Sequence, residues 1–240
     1  MTTDEQLLQR AAELAAEYRR SLPERHVGPR ADAATIGERL GSLPESGVGP
    51  MQVLEELVEA VDPGLVASAG PRYFGFVIGS VLPAAAAADW MTTTWAQNAA
   101  LPASSPAAAA AEQVAGEWML ELLGLPASAS IGLPTGAGLG NTVGLAAGRH
   151  AVLARAGWDV EAQGLYGAPE IRVVVGEEAH ATLLTGLQYL GLGRDRVIRV
   201  PTDDQGRIRA DAFRAAMSEV GDGPLIVAAQ AGNVNTGGFD

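Results

Sequence analysis

The feature that most constrains this chain is an alternation of short, unbroken apolar runs with helical patterns through its second half. Ile131-Gly132-Leu133 precedes a helix expected over 139–156, and the run 171–175 precedes one expected over 179–190. The run 196–200 leads through a turn at Asp203-Asp204-Gln205-Gly206 to a helix over 210–220, and the run 225–230 closes the series. Continuous Val/Ile/Leu runs mark strands covered on both faces. Such strands separated by helices imply a mostly parallel sheet between helix layers, so the expected class is α/β.

The first 66 residues have a different character. Leu7, Leu8, Ala11, Leu14, Ala15 and Tyr18 recur at helical spacing behind a Thr3/Gln6 capping-box pair. Residues 21–50 are rich in Pro, Gly and Arg and predict an extended arm, interrupted by a short helix near 33–40. Met51, Leu54, Leu57, Val58 and Val61 mark another amphipathic helix, stopped by Pro63-Gly64. Helices joined in this way bury little by themselves, so they are expected to pack on the following domain or on a second subunit. Residues 1–66 accordingly form a helical arm and 67–240 a domain. Early in that domain, 89–97 continues a helix out of an alanine run. Ser105-Pro106 then supplies an N-cap with proline in the first helical position.

Composition removes whole classes of chemistry. The sixteen arginines account for the entire Lys+Arg count of 16, so the chain has no lysine, and it has no cysteine. A lysine Schiff base, a P-loop lysine and a lysine general base are excluded within this chain. Disulfides, thiolate zinc sites and cysteine nucleophiles go with them. A net charge of -12 with scattered arginines argues against nucleic-acid or anionic-membrane partners. The apolar stretch 81–88 is far shorter than the roughly 20 residues of a membrane span. With no signal-peptide pattern at the N-terminus, a cytoplasmic protein is expected. His26, His150 and His180 lack ligand spacing, so no metal is expected, and no G-x-S-x-G elbow occurs.

Three polar loops remain as candidates for a site. Pro134-Thr135-Gly136-Ala137-Gly138-Leu139-Gly140-Asn141 is a glycine-rich turn entering a helix, where backbone N–H groups and the helix dipole can approach a phosphate. It is not a P-loop, which needs Gly-Lys-Ser/Thr, nor a dinucleotide fingerprint, which needs glycine where Asn141 stands. A plain tight turn is the competing reading. His180 follows the run 171–175, and the segment 230–237 follows the run 225–230 with amide and hydroxyl groups. Ligands bind at the carboxyl ends of strands in open α/β sheets, so the three loops are expected to share one crevice.

Several segments in order resemble the group II pyridoxal-phosphate decarboxylases, which include the aromatic-amino-acid and glutamate decarboxylases. They are Pro71-Arg72-Tyr73-Phe74-Gly75-Phe76, Asp89-Trp90, Trp95-Ala96-Gln97-Asn98, Ser105-Pro106 with Glu112, the 135–141 loop, Glu178-Ala179-His180 and 231–240. The match covers nearly the whole chain. It implies a fold-type I, aminotransferase-like large domain with an N-terminal helical arm, an obligate homodimer clasped by that arm, and α-decarboxylation of an amino acid on pyridoxal 5'-phosphate. It implies Ala137 and Gly138 as backbone donors to the cofactor phosphate, His180 stacked on the pyridine, and Asn233 and Thr236 beside the cofactor. Tyr73, Phe74 and Asn98 fall in the region that approaches the substrate. Gly138 stands where relatives often have serine, and a threonine of relatives falls on Val234. The family's pyridine-pairing aspartate and its Schiff-base lysine are carried beyond the position of Asp240. The expectation is therefore an N-terminal portion that binds the cofactor non-covalently at most and is inactive alone. The alternatives are a non-catalytic dimerisation or cofactor-binding partner, and another fold-type I enzyme such as an aminotransferase or a lyase. The Pro71–Phe76 and Trp95–Asn98 segments speak against the latter.

Overall fold

The computed structural model describes residues 3–240. The chain forms two compact units, Met1–Ala96 and Gln97–Asp240.

The first unit contains α1 (Thr3–Ser21), α2 (Ala33–Leu40), α3 (Pro50–Val61) with a 3-10 turn at Asp62–Gly64, and α4 (Pro83–Trp95). Thr3 is already helical, and the residue before it lies outside the described residues. Helix α2 starts where Asp32 Oδ1 accepts the Thr35 N–H at 2.9 Å. Helix α3 carries Pro50 at its start, where a missing N–H costs nothing. Polar ties fix the arm between them. The Arg25 guanidinium donates to the Asp62 carbonyl and carboxylate at 2.8 and 2.7 Å and lies 4.9 Å from the Tyr18 ring centre. Arg30 and Ala31 donate their N–H groups to the Pro63 carbonyl. The Ala67 N–H donates to Val27 O at 3.0 Å, Arg72 donates to Arg25 O, and Arg19 donates to Val81 O. These bonds gather residues 67–81 in with the arm, which the composition shift near residue 67 does not mark.

The second unit runs α5 (Pro106–Leu122), α6 (Ala137–Arg155), α7 (Val160–Gln163), β1 (Arg172–Gly176), α8 (Ala181–Tyr189), β2 (Ile198–Val200), α9 (Ala210–Val220) and β3 (Leu225–Ala228). The strands form one parallel sheet in the order β2-β1-β3, with Val174 opposite both Ile198 and Val227. Alternate residues of a strand point to opposite faces. Val173 and Val175 pack with Leu145 of α6 and Leu187 of α8, whereas Val174 packs with Val200 and Val220. Helix α9 meets that second face through Phe213, Ala216 and Met217. The two-sided sandwich expected from the apolar runs is what forms.

One expected strand does not form. Ile131-Gly132-Leu133 belongs to no strand. Ile131 instead lies over Gly116 of α5, so closely that a Cβ on Gly116 would fall 2.2 Å from Ile131 Cδ1. The short α7 lies outside the helices that the apolar pattern predicts; Asp159 opens it by accepting the Glu161 and Ala162 N–H groups at 3.1 Å. No helix among the described residues is long and apolar enough to cross a membrane.

Candidate active site

The carboxyl ends of β1 and β3 open into a cavity of about 170 Å³. Asn141 of α6, Glu178 and His180 of the β1–α8 loop, Gln230 and Ala231 after β3, and Asp240 contribute to its lining. All three polar loops picked out from the sequence therefore reach one crevice. Two of them follow strands; the glycine-rich turn does not, because 131–133 is not a strand.

Helix α6 enters this region with its first turn open. Gly136 occupies the capping position and makes no side-chain cap bond. The first helical hydrogen bond is donated by Gly140 to Gly136 O at 3.0 Å, so the N–H groups of Ala137, Gly138 and Leu139 precede any intrahelical partner. Those donors, with the positive end of the dipole of a nineteen-residue helix, suit an anion. Gly138 lies beside α8: a Cβ there would sit 3.4 Å from Thr182 Cγ2, in ordinary van der Waals contact.

His180 is the N-cap of α8, and its Nδ1 accepts the Thr182 N–H at 3.2 Å. Thr182 Oγ1 lies 2.8 Å from the same nitrogen, and Asn141 Nδ2 donates to Thr182 Oγ1 at 2.9 Å. The ring is thus anchored both to its own helix and to α6.

Asn233 and Thr236 are placed differently from the other candidates. Asn233 is buried, and its Oδ1 accepts the N–H groups of Asn235 and Thr236 at 2.9 and 3.3 Å, closing a turn. Its amide lies over Gly206, where a Cβ would fall 2.6 Å from Asn233 Nδ2. Thr236 Oγ1 donates to Gln205 O and accepts from the Gly238 N–H. From this loop it is Gln230 and Ala231 that line the cavity. Tyr73 and Phe74 belong to the first unit. Asn98 belongs to the second, and its Oδ1 accepts the Ala100 N–H at 2.9 Å.

Two residues escape sequence reasoning: Asp240, which lines the cavity, and Thr182, which bonds to two residues that line it. Asp240 accepts the Ile208 N–H on Oδ1 and the Gln230 N–H on Oδ2, both at 2.7 Å, and so ties the β2–α9 connection to the end of β3. Thr182 links His180 to Asn141; a hydroxyl two residues after a helix-capping histidine is the signal that could have found it. Among the described residues no group of three His, Cys, Asp or Glu could hold a metal ion.

Residues 41–240 match the pyridoxal-dependent decarboxylase conserved domain. The chain belongs to this family. It is 28% identical over 208 residues to a glutamate decarboxylase-like protein of Gibberella zeae, covering 85% of this chain and 39% of that one. It is 27% identical over 250 residues to tryptophan decarboxylase 1 of Oryza sativa subsp. japonica, covering 97% of this chain and 48% of the relative. The crystal structure of Oryza sativa TDC with PLP and tryptamine superposes with a TM-score of 0.83 at 23% identity, over 98% of this chain and 50% of that one. The chain spans about half the length of the relatives it matches, and its α/β architecture is that of the family's fold-type I large domain with a helical arm.

The family implies pyridoxal 5'-phosphate, and the residues present fit it. The open first turn of α6, which begins with the small Ala137 and with Gly138, suits a phosphate, and His180 lines the cavity with a flat ring.

Proposed function

We propose that this chain forms the cofactor-cradling part of a pyridoxal-phosphate-dependent amino-acid decarboxylase. The observation that carries the reading is the convergence of Asn141, one turn inside the uncapped start of α6, a capping histidine and a post-strand loop on one cavity at the carboxyl ends of parallel strands. When bound, pyridoxal phosphate supplies an electron sink for the bond broken at the amino acid's α-carbon. The chain's own residues bind and orient. The N–H groups of Ala137 and Gly138 would hold the phosphate, and the His180 ring would lie against the cofactor and exclude water there. Asp240 keeps the loop carrying Gln230 and Ala231 against the cavity.

With no lysine in the chain, its contribution is non-covalent. By itself it holds the cofactor without turning over an amino acid. Arginine is no substitute, because its guanidinium stays protonated. The apolar faces of α1 and α3, where Leu8, Val53 and Leu57 are exposed, support pairing with a second copy through the arm.

Equilibrium binding tests the reading. Pyridoxal phosphate is expected to bind the purified chain reversibly, and borohydride is expected to fix none of it to a side chain. Pyridoxal without the phosphate should bind at least about tenfold more weakly, since a charge-assisted set of backbone bonds is lost. Equal affinity for the two compounds would overturn the phosphate assignment to α6.

A further inference from the structure

We infer that Thr182 and Asn141 form a one-way hydrogen-bond relay that sets the tautomer and orientation of the His180 ring, which makes both of them positioning residues of the site. One donor in the cluster cannot be reversed. A backbone N–H only donates, and the Thr182 N–H points at His180 Nδ1. Nδ1 must therefore be an acceptor, and the neutral ring carries its proton on Nε2. The Thr182 hydroxyl, 2.8 Å from the same Nδ1, then donates as well, the two donors of Thr182 sharing the single lone pair of that nitrogen. Its oxygen is left as an acceptor, and the amide NH2 of Asn141 meets it there at 2.9 Å. Each link fixes the polarity of the next, from Asn141 Nδ2 through Thr182 Oγ1 to His180 Nδ1.

The relay also joins the two halves of the cavity. Asn141 lies one turn into α6, whose first N–H groups are free for an anion, and Gly138 of the same turn abuts the Thr182 methyl. The ring and the anion cradle are thus held as one hydrogen-bonded unit, with Nε2 the ring's only N–H donor. The relay itself is independent of the cofactor; its role in presenting the ring to pyridoxal phosphate rests on the function proposed above.

The test reads the ring directly. In the full chain with His26→Gln and His150→Gln, His180 is the sole histidine, and long-range 1H–15N correlation of the neutral ring reports its tautomer. The expected pattern is an unprotonated Nδ1 and a protonated Nε2. Thr182→Ser should preserve it. Asn141→Leu, which removes the last link without reversing it, should preserve it too. Asn141→Asp is nearly isosteric but can only accept, so it draws the Thr182 proton toward itself and turns Oγ1 into an acceptor facing Nδ1. The two ring nitrogen shifts should then move toward each other as the Nδ1–H form becomes populated. An Nδ1–H or mixed tautomer in the parent chain would overturn the relay, and so would Asn141→Asp shifts that coincide with those of Asn141→Leu. Pyridoxal phosphate is added last. If the tautomer behaves as stated but the cofactor leaves the His180 signals unmoved, the relay stands and the cofactor reading falls.

Discussion

Helix α1 is nineteen residues long and buries none of them, whereas β1 has five residues and buries four. Both place apolar residues in a regular pattern, yet they need different things from their surroundings. A strand at the centre of a parallel sheet is covered by helices on each face, so Val173, Val174 and Val175 all leave water within their own unit. An amphipathic helix presents one stripe and depends on a neighbour to cover it. In the first unit only Leu22, Ala60 and Ala67 among the described residues are buried apolar groups. The arm is instead held by bonds such as Arg25 to Asp62 and the Ala67 N–H to Val27 O. Hydrophobic stability is thus concentrated in the second unit, at about 1.5–3 kcal/mol per fully buried aliphatic side chain.

Truncation at equivalent residues gives the sharpest way to break this contrast. Leu187→Ala, at a side chain with no exposed surface between α8 and β1, should cost about 2–5 kcal/mol in urea unfolding. Leu8→Ala, at a side chain 59% exposed on α1, should stay within about 0.5 kcal/mol. Equal losses would erase the distinction. A Leu8→Ala loss that grows with protein concentration would show that a second copy covers the stripe.

Glycine substitutions carry the comparison to a smaller scale with opposite signs. Gly186 sits where α8 meets α6, and a Cβ there would lie 3.0 Å from Leu145 Cδ1 and 3.1 Å from Thr142 Oγ1. Gly186→Val should therefore destabilise by about 1–3 kcal/mol through overpacking. Gly37 lies inside α2 with open space where a Cβ would stand. Gly37→Ala should raise the stability of the first unit by about 0.5–1 kcal/mol. Thermal melts of the two variants moving in the same direction would contradict the difference in packing.

These contrasts explain what could be read from the sequence. Helix α2 and helix α9 lie where periodicity and breakers put them, and Ser105 caps α5 by accepting the Ala108 N–H, as the Ser-Pro pair suggests. The parallel sheet followed from runs apolar on both faces. Ile131-Gly132-Leu133 misled because a three-residue apolar run is equally suited to packing on a helix, and the space above Gly116 is a tertiary fact. At the site, the elements bringing Gly138, Asn141 and His180 together were legible from loop positions after the apolar runs. Asn233 shows the limit: an amide in a polar loop reads the same whether it faces a ligand or closes its own turn, and only the bonds to Asn235 and Thr236 distinguish the two. Thr182 could not be weighed without knowing that Asn141, forty-one positions earlier, lies within reach of its hydroxyl.

The smallest effects separate the units by electrostatics. Each has an aspartate held below its ordinary value. For Asp203 the largest cause is the Arg207 backbone N–H, followed by the Arg207 guanidinium; the Gln205 N–H adds to them. For Asp32 the cause is the Thr35 backbone N–H and then its side chain, with no cation among the contributions. A depressed carboxylate stabilises the fold above its unfolded-state value and loses that contribution as pH falls through the lower, folded-state value. Asp203→Asn and Asp32→Asn should each flatten the acid limb of the stability curve in that window. Salt distinguishes them. Raising ionic strength screens an exposed guanidinium but not a short amide bond, so carboxyl 13C titration should show Asp203 moving part of the way back toward its ordinary value while Asp32 stays put. Asp32 responding to salt as strongly as Asp203 would mean that the first unit, too, relies on a nearby cation to hold its cap.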